Sequence, residues 1–456
     1  MPIKKFDVIV IGAGSGLNIS SYASKLGLKT AIIESGPMGG TCLNRGCVPS
    51  KILIHHADIA EIINNANKFH ISVNKPRIDF KSIVNYTSNL VDKDAKEIEA
   101  GIKEDKNTTL FKGIGKFVGK KIIKINNKEI TANKIFIVAG TRPFIPPIKG
   151  INKVKYITST EALRLTNLPK TITFLGGGYI TAELAHFFGS LGSKINIILR
   201  SGGLIRNEDS EISQKFTEIF SKKYNLLLNY DILEVNQNRK EISIKIKSNN
   251  KTKIIKTDQL IVATGRIPNS DTLEVKKSGI KTDKNNFIHV NDYLETNIKN
   301  VYALGDIAGK FMFKHSANLE ASYAILNAFS SKKIKVDYSA MPHAIFSSPQ
   351  VAAVGYTEDE LKQKKIPYIK SKYYYVNTAM GTALKDKDGF VKILVHKTTK
   401  KILGCHILGA DASILIHEVI VAMKSGTGTI DNIKKSVHVH PALSEVVQRA
   451  ALKIKT

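Results

Sequence analysis

The chain is 456 residues long, 43% hydrophobic and 23% charged, with three cysteines and a formal net charge of +29. That length implies two to four domains rather than one core; so few cysteines exclude a disulfide-stapled secreted scaffold, and no apolar run approaches the roughly 20 residues of a membrane span. The charge would suit nucleic acid or acidic partners, but the lysines are scattered along the chain without a basic block or aromatic interleaving, so nucleic acid is disfavoured and a solvated basic surface is expected.

The apolar run Val8–Ile11 is too short for a signal-peptide core and passes straight into Gly12. It reads as part of a first strand, 6–12, of a cytoplasmic protein. A glycine turn, a helix to about Gly27 and a second strand from Lys29 to Glu34 complete a βαβ opening. Helical periodicity runs from about 52 to 105. Short strands follow: IIKI, the turn Asn126-Asn127, KEIT, and a run from Ile135 to Ala139. At residue 171 the opening theme returns as TITFLGGGYI, with a strand KINIILR after it, about 164 residues beyond the first glycine turn. Further strands are expected from Gln259 to Ala263 and at VYALGD, which closes on Asp306. From about 338 the pattern mixes strands with a helix near 413–425, as in a separate α+β domain.

The first turn, Gly12-Ala-Gly14-Ser-Gly16, lets backbone approach a pyrophosphate at a helix N-terminus. Glu34 stands 22 residues after Gly12, where a carboxylate can hold a ribose hydroxyl pair. Leu17 departs from the fingerprint, which wants Gly or Ala there for close helix–strand packing, so a slightly shifted helix is expected. The second turn, Gly176-Gly177-Gly178, has Thr181 in the small position. The acid expected at the end of the next strand is replaced by Leu199 and Arg200. Arg200 and Arg206 could clasp a 2′-phosphate, which points toward NADPH rather than NADH; otherwise they are surface charges of a basic protein.

Cys42 and Cys47 are five residues apart. In a regular helix their Cα atoms would be roughly 8–9 Å apart, beyond the roughly 7 Å a disulfide allows. A distorted helix start is therefore expected, with Gly46 and Pro49 making it cheap. Cysteines at a helix N-terminus have a lowered thiolate pKa, which suits redox exchange. The third cysteine, Cys405, is isolated in an apolar strand and reads as core, so no metal site is expected. Lys51 lies four residues after Cys47, and Glu183 four after Tyr179, so each helix offers two groups on one face.

In these residues the sequence resembles the class I pyridine nucleotide–disulfide oxidoreductases, among them dihydrolipoamide dehydrogenase, glutathione reductase, mycothione reductase and mercuric reductase. The matching pieces span the chain in order: GAGSG, GGTCLNRGCVPSK, AGTRP, GGGYITAE, ATGRIPN, YALGD, the stretch from Pro342 to Thr357, and HPALSE. The resemblance implies two Rossmann-like dinucleotide-binding domains, for FAD and NAD(P), plus a C-terminal α+β dimerisation domain. The expected division is FAD domain 1–150, NAD(P) domain 151–275, second FAD part 276–337 and interface domain 338–456. It implies that Cys47 is the thiol next to the flavin and that Cys42 exchanges with substrate. Lys51 and Glu183 would pair beside the flavin N5, Tyr179 would cover the nicotinamide pocket, and Asp306 would bind the ribitol or phosphate region of FAD. Gly40, Thr41, Gly140 and Gly265, within the same motifs, join the cofactor-binding set. His440, oriented by Glu445, would be the acid/base for the other subunit's cysteines in a homodimer; Pro441 suits the first turn of a helix, and His438 is the alternative base.

The expected reaction is electron transfer between NAD(P)H, FAD, the Cys42–Cys47 pair and a small disulfide or dithiol, as in dihydrolipoamide dehydrogenase, with a lipoyl-carrying complex as a possible partner. The arginine pair favours the alternative, an NADPH-dependent reductase of a low-molecular-weight disulfide such as that of glutathione or mycothiol. Mercuric reductase and large thioredoxin reductases are disfavoured because the tail has no cysteine pair. A non-catalytic or nucleic-acid-binding subunit is the weaker reading.

Overall fold

Four consecutive apolar residues, Val8 to Ile11, can be buried on both faces only inside a sheet covered on each side, and the protein builds that sheet around them. The structure, a computed structural model, describes residues 3–249 and 251–455. In the first sheet Lys4–Ile11 lies parallel between Thr30–Glu34 and Lys128–Ile137. Thr108–Lys112 extends it parallel to Thr30–Glu34, and Val301–Ala303 returns from far along the chain to pair parallel with Lys128–Ile137. The segments KEIT and Ile135–Ala139, expected as separate strands, form one strand, Lys128–Ile137. Its ten residues are long enough to serve two partners on one edge, Ile122–Ile125 antiparallel at its start and Val301–Ala303 at its end.

The second sheet is parallel, in the order Asn225–Leu227, Lys194–Ile198, Thr171–Leu175, Gln259–Val262. Beside it lies an antiparallel meander, Asp231–Asn238, Glu241–Ser248 and Lys251–Thr257. The C-terminal unit is a five-stranded antiparallel sheet built from residues 342–409, packed against the helices Ala412–Lys424 and Glu445–Leu452. Cys405 is fully buried there, as expected. Among the described residues no helix is long and apolar enough to cross a membrane.

One apolar core crosses between the units. Leu53, Ile54 and Ala57 of the helix Cys47–Asn64 meet Leu184, Phe187 and Phe188 of the helix Tyr179–Ser190, and Ile345, Phe390 and Leu408 of the C-terminal sheet join them. The two helices that carry the site are therefore packed side by side.

A buried charge cluster fixes the unit of the second sheet, inserted in the chain between Lys128–Ile137 and Val301–Ala303 of the first, to the C-terminal sheet. Lys392, on the strand Phe390–His396, is fully buried. Its Nζ lies 2.9 Å from Asp209, 2.9 Å from Glu211 and 2.6 Å from Glu358. Asp209 in turn caps the helix Ser210–Lys223 of the inserted unit. Burial alone would raise the Glu358 carboxyl, but hydrogen bonds from Lys392 and Tyr368 outweigh it and hold it at about 2. A carboxyl depressed on folding stabilises above its unfolded pKa, and that stability is lost as pH falls through the folded value. The cluster should therefore weaken between about pH 4.5 and about pH 2. Replacing Lys392 by Met leaves buried carboxylates uncompensated and should cost about 3–5 kcal/mol, read in urea as a lower midpoint with an unchanged slope. An unchanged midpoint would show that the cluster does not hold these units together.

Candidate active site

The cysteine segment is two helices. Gly40–Arg45 ends and Cys47–Asn64 begins with Gly46 as the joint. A Cβ on Gly46 would stand 2.9 Å from the Thr41 carbonyl oxygen, so only glycine lets the turns close this tightly. The distortion expected from the cysteine spacing is thus a complete break, and it brings the sulfurs into hydrogen-bond contact, Cys42 donating to Cys47. That bond, with Lys51 nearby, outweighs burial and lowers the Cys47 thiol to about 7. Giving its hydrogen to Cys47, together with burial, raises Cys42.

Lys51 rises from the next turn of the same helix. Its Nζ donates to both carboxylate oxygens of Glu183 at 2.8 and 2.9 Å, across a sequence separation of 132 residues. Glu183 is buried, and the Phe346 N–H donates to its Oε1 at 3.0 Å. Lys51 also stands over the Phe346 ring, 4.5 Å from its centre. Tyr179 opens the same helix as Glu183 and lines the same space.

That space is a cavity of about 1260 Å³. Gly12, Gly14, Glu34, Gly40, Thr41, Cys42, Cys47, Lys51, Gly140, Tyr179, Glu183 and Asp306 all line it. Glu34 is held at one end by the N–H groups of Ala13 (2.8 Å) and Gly36 (2.7 Å). The middle is bare backbone. Gly12 has φ +106°, and a Cβ there would stand 2.3 Å from the Val138 carbonyl oxygen; at Gly40 one would stand 2.8 Å from the Gly14 Cα. Asp306 accepts from Thr141 Oγ1 at 2.9 Å, and Thr141 is itself held by Arg266 through its side chain (2.7 Å) and its carbonyl (2.8 Å). Burial pushes the Asp306 carboxyl up against that hydrogen bond. A carboxylate, exposed glycine backbone, a half-buried acid and a thiol pair lining one cavity fit an FAD lying in it.

Other expected residues lie elsewhere. Gly16 is not at the cavity wall; its Cβ would meet Val10 Cγ1 at 2.7 Å. It supplies the close helix–strand contact that Leu17 cannot, so that role moves one residue earlier. Gly176 and Gly178 belong to the second turn, and Gly265, with φ +130°, follows the strand Gln259–Val262 that pairs with the strand entering that turn. Gly176 repeats the geometry of Gly12, with φ +108° and a would-be Cβ 2.3 Å from the Ala263 carbonyl oxygen. Arg200 and Arg206 are exposed beside it, and the Ile205 N–H donates to the Gly177 carbonyl at 2.7 Å, which draws Arg206 to the turn.

His440 and Glu445 lie outside the cavity of their own chain. His440 Nδ1 is 3.1 Å from both carboxylate oxygens of Glu445, which leaves Nε2 free, and its side chain is 71% exposed. His438 is 7% exposed and engaged by Glu418, so it is not available as a base in the way His440 is. Pro441 does not open the helix: residues 441–444 form a turn and the helix starts at Glu445. The turn lets the Glu445 carboxylate reach back to His440 and to the Ala442 N–H.

Sequence reasoning missed Thr141, Arg266, Phe346 and Lys314. The first two lie inside motifs already singled out, AGTRP and ATGRIPN. Phe346 acts through its backbone N–H, which no residue type reports. Lys314 lies between motifs and carries no local signal.

Residues 6–321 match the family described as pyridine nucleotide-disulphide oxidoreductase, and residues 341–451 match its dimerisation domain. The chain is 32% identical to mycothione reductase from Mycobacterium tuberculosis over 467 residues, covering 99% of this chain and 100% of that one. It is also 32% identical to dihydrolipoyl dehydrogenase 1, mitochondrial, from Arabidopsis thaliana, over 98% of this chain and 90% of that one. Its fold matches the HOCl-induced flavoprotein disulfide reductase RclA from Escherichia coli with a TM-score of 0.88 at 24% identity, over 99% of this chain and 100% of that one. The chain belongs to the pyridine nucleotide-disulphide oxidoreductase family, whose members are FAD-dependent and use NAD(P)H as electron donor, and it is an oxidoreductase acting on disulfides.

Proposed function

We propose that the protein is an NADPH-dependent reductase of a small disulfide, working as a homodimer. The observation that carries this reading is the convergence of the Cys42–Cys47 pair and the Lys51–Glu183 ion pair in one cavity. Glu34 would hold the adenosine ribose, the backbone of Gly12, Gly14, Gly40 and Thr41 the diphosphate, and Gly140 and Asp306 the ribitol. FAD, when bound, supplies a two-electron acceptor that takes hydride on one face and exchanges electrons with sulfur on the other. Cys47 is then the flavin-side thiol, made a good thiolate by its pKa near 7. Lys51, held by Glu183, places a positive charge where hydride arrives. Tyr179 sits where it can gate nicotinamide entry. Gly176, Gly178 and Gly265 would receive the NADPH diphosphate. Arg200 and Arg206 would hold its 2′-phosphate.

His440 is the acid/base for the substrate thiol on the other subunit. Its free Nε2 can take a proton, and the Glu445 carboxylate stabilises the imidazolium that results. It cannot serve its own chain's cavity, which it does not line. Val437 and Val439 beside it are 99% and 75% exposed, apolar side chains that a second subunit would cover. The division into residues 1–150, 151–275, 276–337 and 338–456 follows the same reading. Oxidation of a lipoyl group, as the name of the Arabidopsis relative suggests, is the second reading; the uncompensated arginines at the second turn favour NADPH over it.

Two outcomes are expected. Cys42→Ser should abolish NADPH-dependent reduction of glutathione disulfide, lipoamide and mycothiol disulfide while bound flavin is retained; full turnover in that variant would refute the role of Cys42. Arg200→Ala with Arg206→Ala should raise KM for NADPH about 10-fold to 100-fold and leave KM for NADH nearly unchanged, from the loss of charge-assisted hydrogen bonds. Equal KM shifts for both nucleotides would remove the case for NADPH.

A further inference from the structure

Two lysines face the sulfur pair, and they differ in their partners. Lys51 bears on Cys47 but is neutralised by Glu183 at 2.8 Å. Lys314, the first residue of the helix Lys314–Phe329, lines the same cavity. Among the described residues it bonds to a neutral group: Nζ donates to Ser15 Oγ at 2.9 Å, and Ser15 donates on to Asn318 Oδ1 at 3.0 Å. Among the described residues no carboxylate lies within ion-pair distance of it. Ser15 follows Gly14, and Gly14 packs against Gly40, two residues before Cys42. Lys314 and Cys42 thus line one cavity, with Ser15 and the Gly14–Gly40 contact between them. The charged or titratable groups that bear on Lys314 are Cys42 first and Cys47 second, and burial pushes its own pKa down. Lys51 shares its charge with Glu183 and bears on Cys47, whereas Lys314 has no carboxylate partner among the described residues and bears first on Cys42.

We propose that Lys314 is the counter-ion of the Cys42 thiolate, a positioning residue that lets the substrate-facing sulfur ionise while Cys47 is already anionic. This rests on the assignment of Cys42 as the thiol that meets substrate. In the exchange, the Cys42 thiolate attacks one sulfur of the substrate disulfide, the substrate S–S bond breaks, and the first substrate thiolate leaves and takes a proton from water or from His440. Cys47 thiolate then attacks Cys42, releases the second substrate thiolate and closes the Cys42–Cys47 disulfide. Two electrons pass from the dithiol to the substrate. Without a cation at Cys42, two negative sulfurs in contact would have to share a partly buried space, which like-charge repulsion and desolvation both oppose.

The test uses the FAD-loaded Cys47→Ser protein, in which Cys42 is the only cavity thiol and its hydrogen bond to a thiolate is gone. The rate of iodoacetamide alkylation at Cys42, followed by peptide mass spectrometry across pH, gives its titration midpoint. Adding Lys314→Met should raise that midpoint by about 1 pH unit or more, and Lys314→Arg should restore it. Lys314→Gln provides a second neutral variant, and flavin absorbance confirms that each protein is loaded. An unchanged midpoint in both neutral variants, or loss of flavin from them with the midpoint intact, would overturn the proposal. Neither result bears on whether Cys42 is required for turnover, which Cys42→Ser decides separately.

Discussion

The ion pair between Lys51 and Glu183 is the contact on which the site depends. It joins the helix that carries Cys47 to the helix that begins at the second glycine turn. Each of those helices starts at a glycine joint, so each points its first turn into the cavity. The pair is backed by a dry core, Leu53, Ile54 and Ala57 against Leu184, Phe187 and Phe188. A Glu183 carboxylate buried without Lys51 would carry a heavy desolvation penalty, so the ion pair and the packing support each other. The cysteine pair and the second glycine turn belong to different units of the chain, and this contact joins them.

The inserted unit must be held in one orientation for that contact to persist. Lys392 does part of this work from the C-terminal sheet, because its carboxylate partners Asp209 and Glu211 begin a helix of the inserted unit. The same C-terminal unit presents His440 outward, away from its own cavity, beside the bare side chains of Val437 and Val439. A single surface therefore carries both bare apolar side chains and the imidazole held by Glu445.

Much of this was legible in the sequence because the chemistry demands residue types that leave marks. Glycines at Gly12 and Gly176 are forced by backbone carbonyls 2.3 Å from where a Cβ would be. The five-residue cysteine spacing is incompatible with a regular helix, and the break at Gly46 follows from it. The four-residue spacings of Cys47 with Lys51 and Tyr179 with Glu183 gave the shared faces. Other features left no mark. The double pairing of Lys128–Ile137 depends on tertiary partners, so its two halves look like two strands. The bond from the Phe346 N–H to Glu183 is made by backbone, which is the same for every residue. The shift of the packing glycine to Gly16 depends on the side chain of Val10 across the turn. Pro441 suits a helix start by propensity, but the need for Glu445 to reach His440 delays the helix by four residues. Lys314 is one lysine among many in a chain of net charge +29, and only the fold shows that it lines the cavity of the cysteines.

The central claim is that hydride from a nicotinamide reaches Cys42 and Cys47 through a flavin seated beside Lys51. Anaerobic addition of one equivalent of NADPH to the oxidised, FAD-loaded protein, followed by an acid quench and alkylation, tests it directly. The account predicts that both Cys42 and Cys47 become alkylated while the visible spectrum of the flavin returns to its oxidised form. Bleached flavin with both cysteines still disulfide-bonded would contradict it.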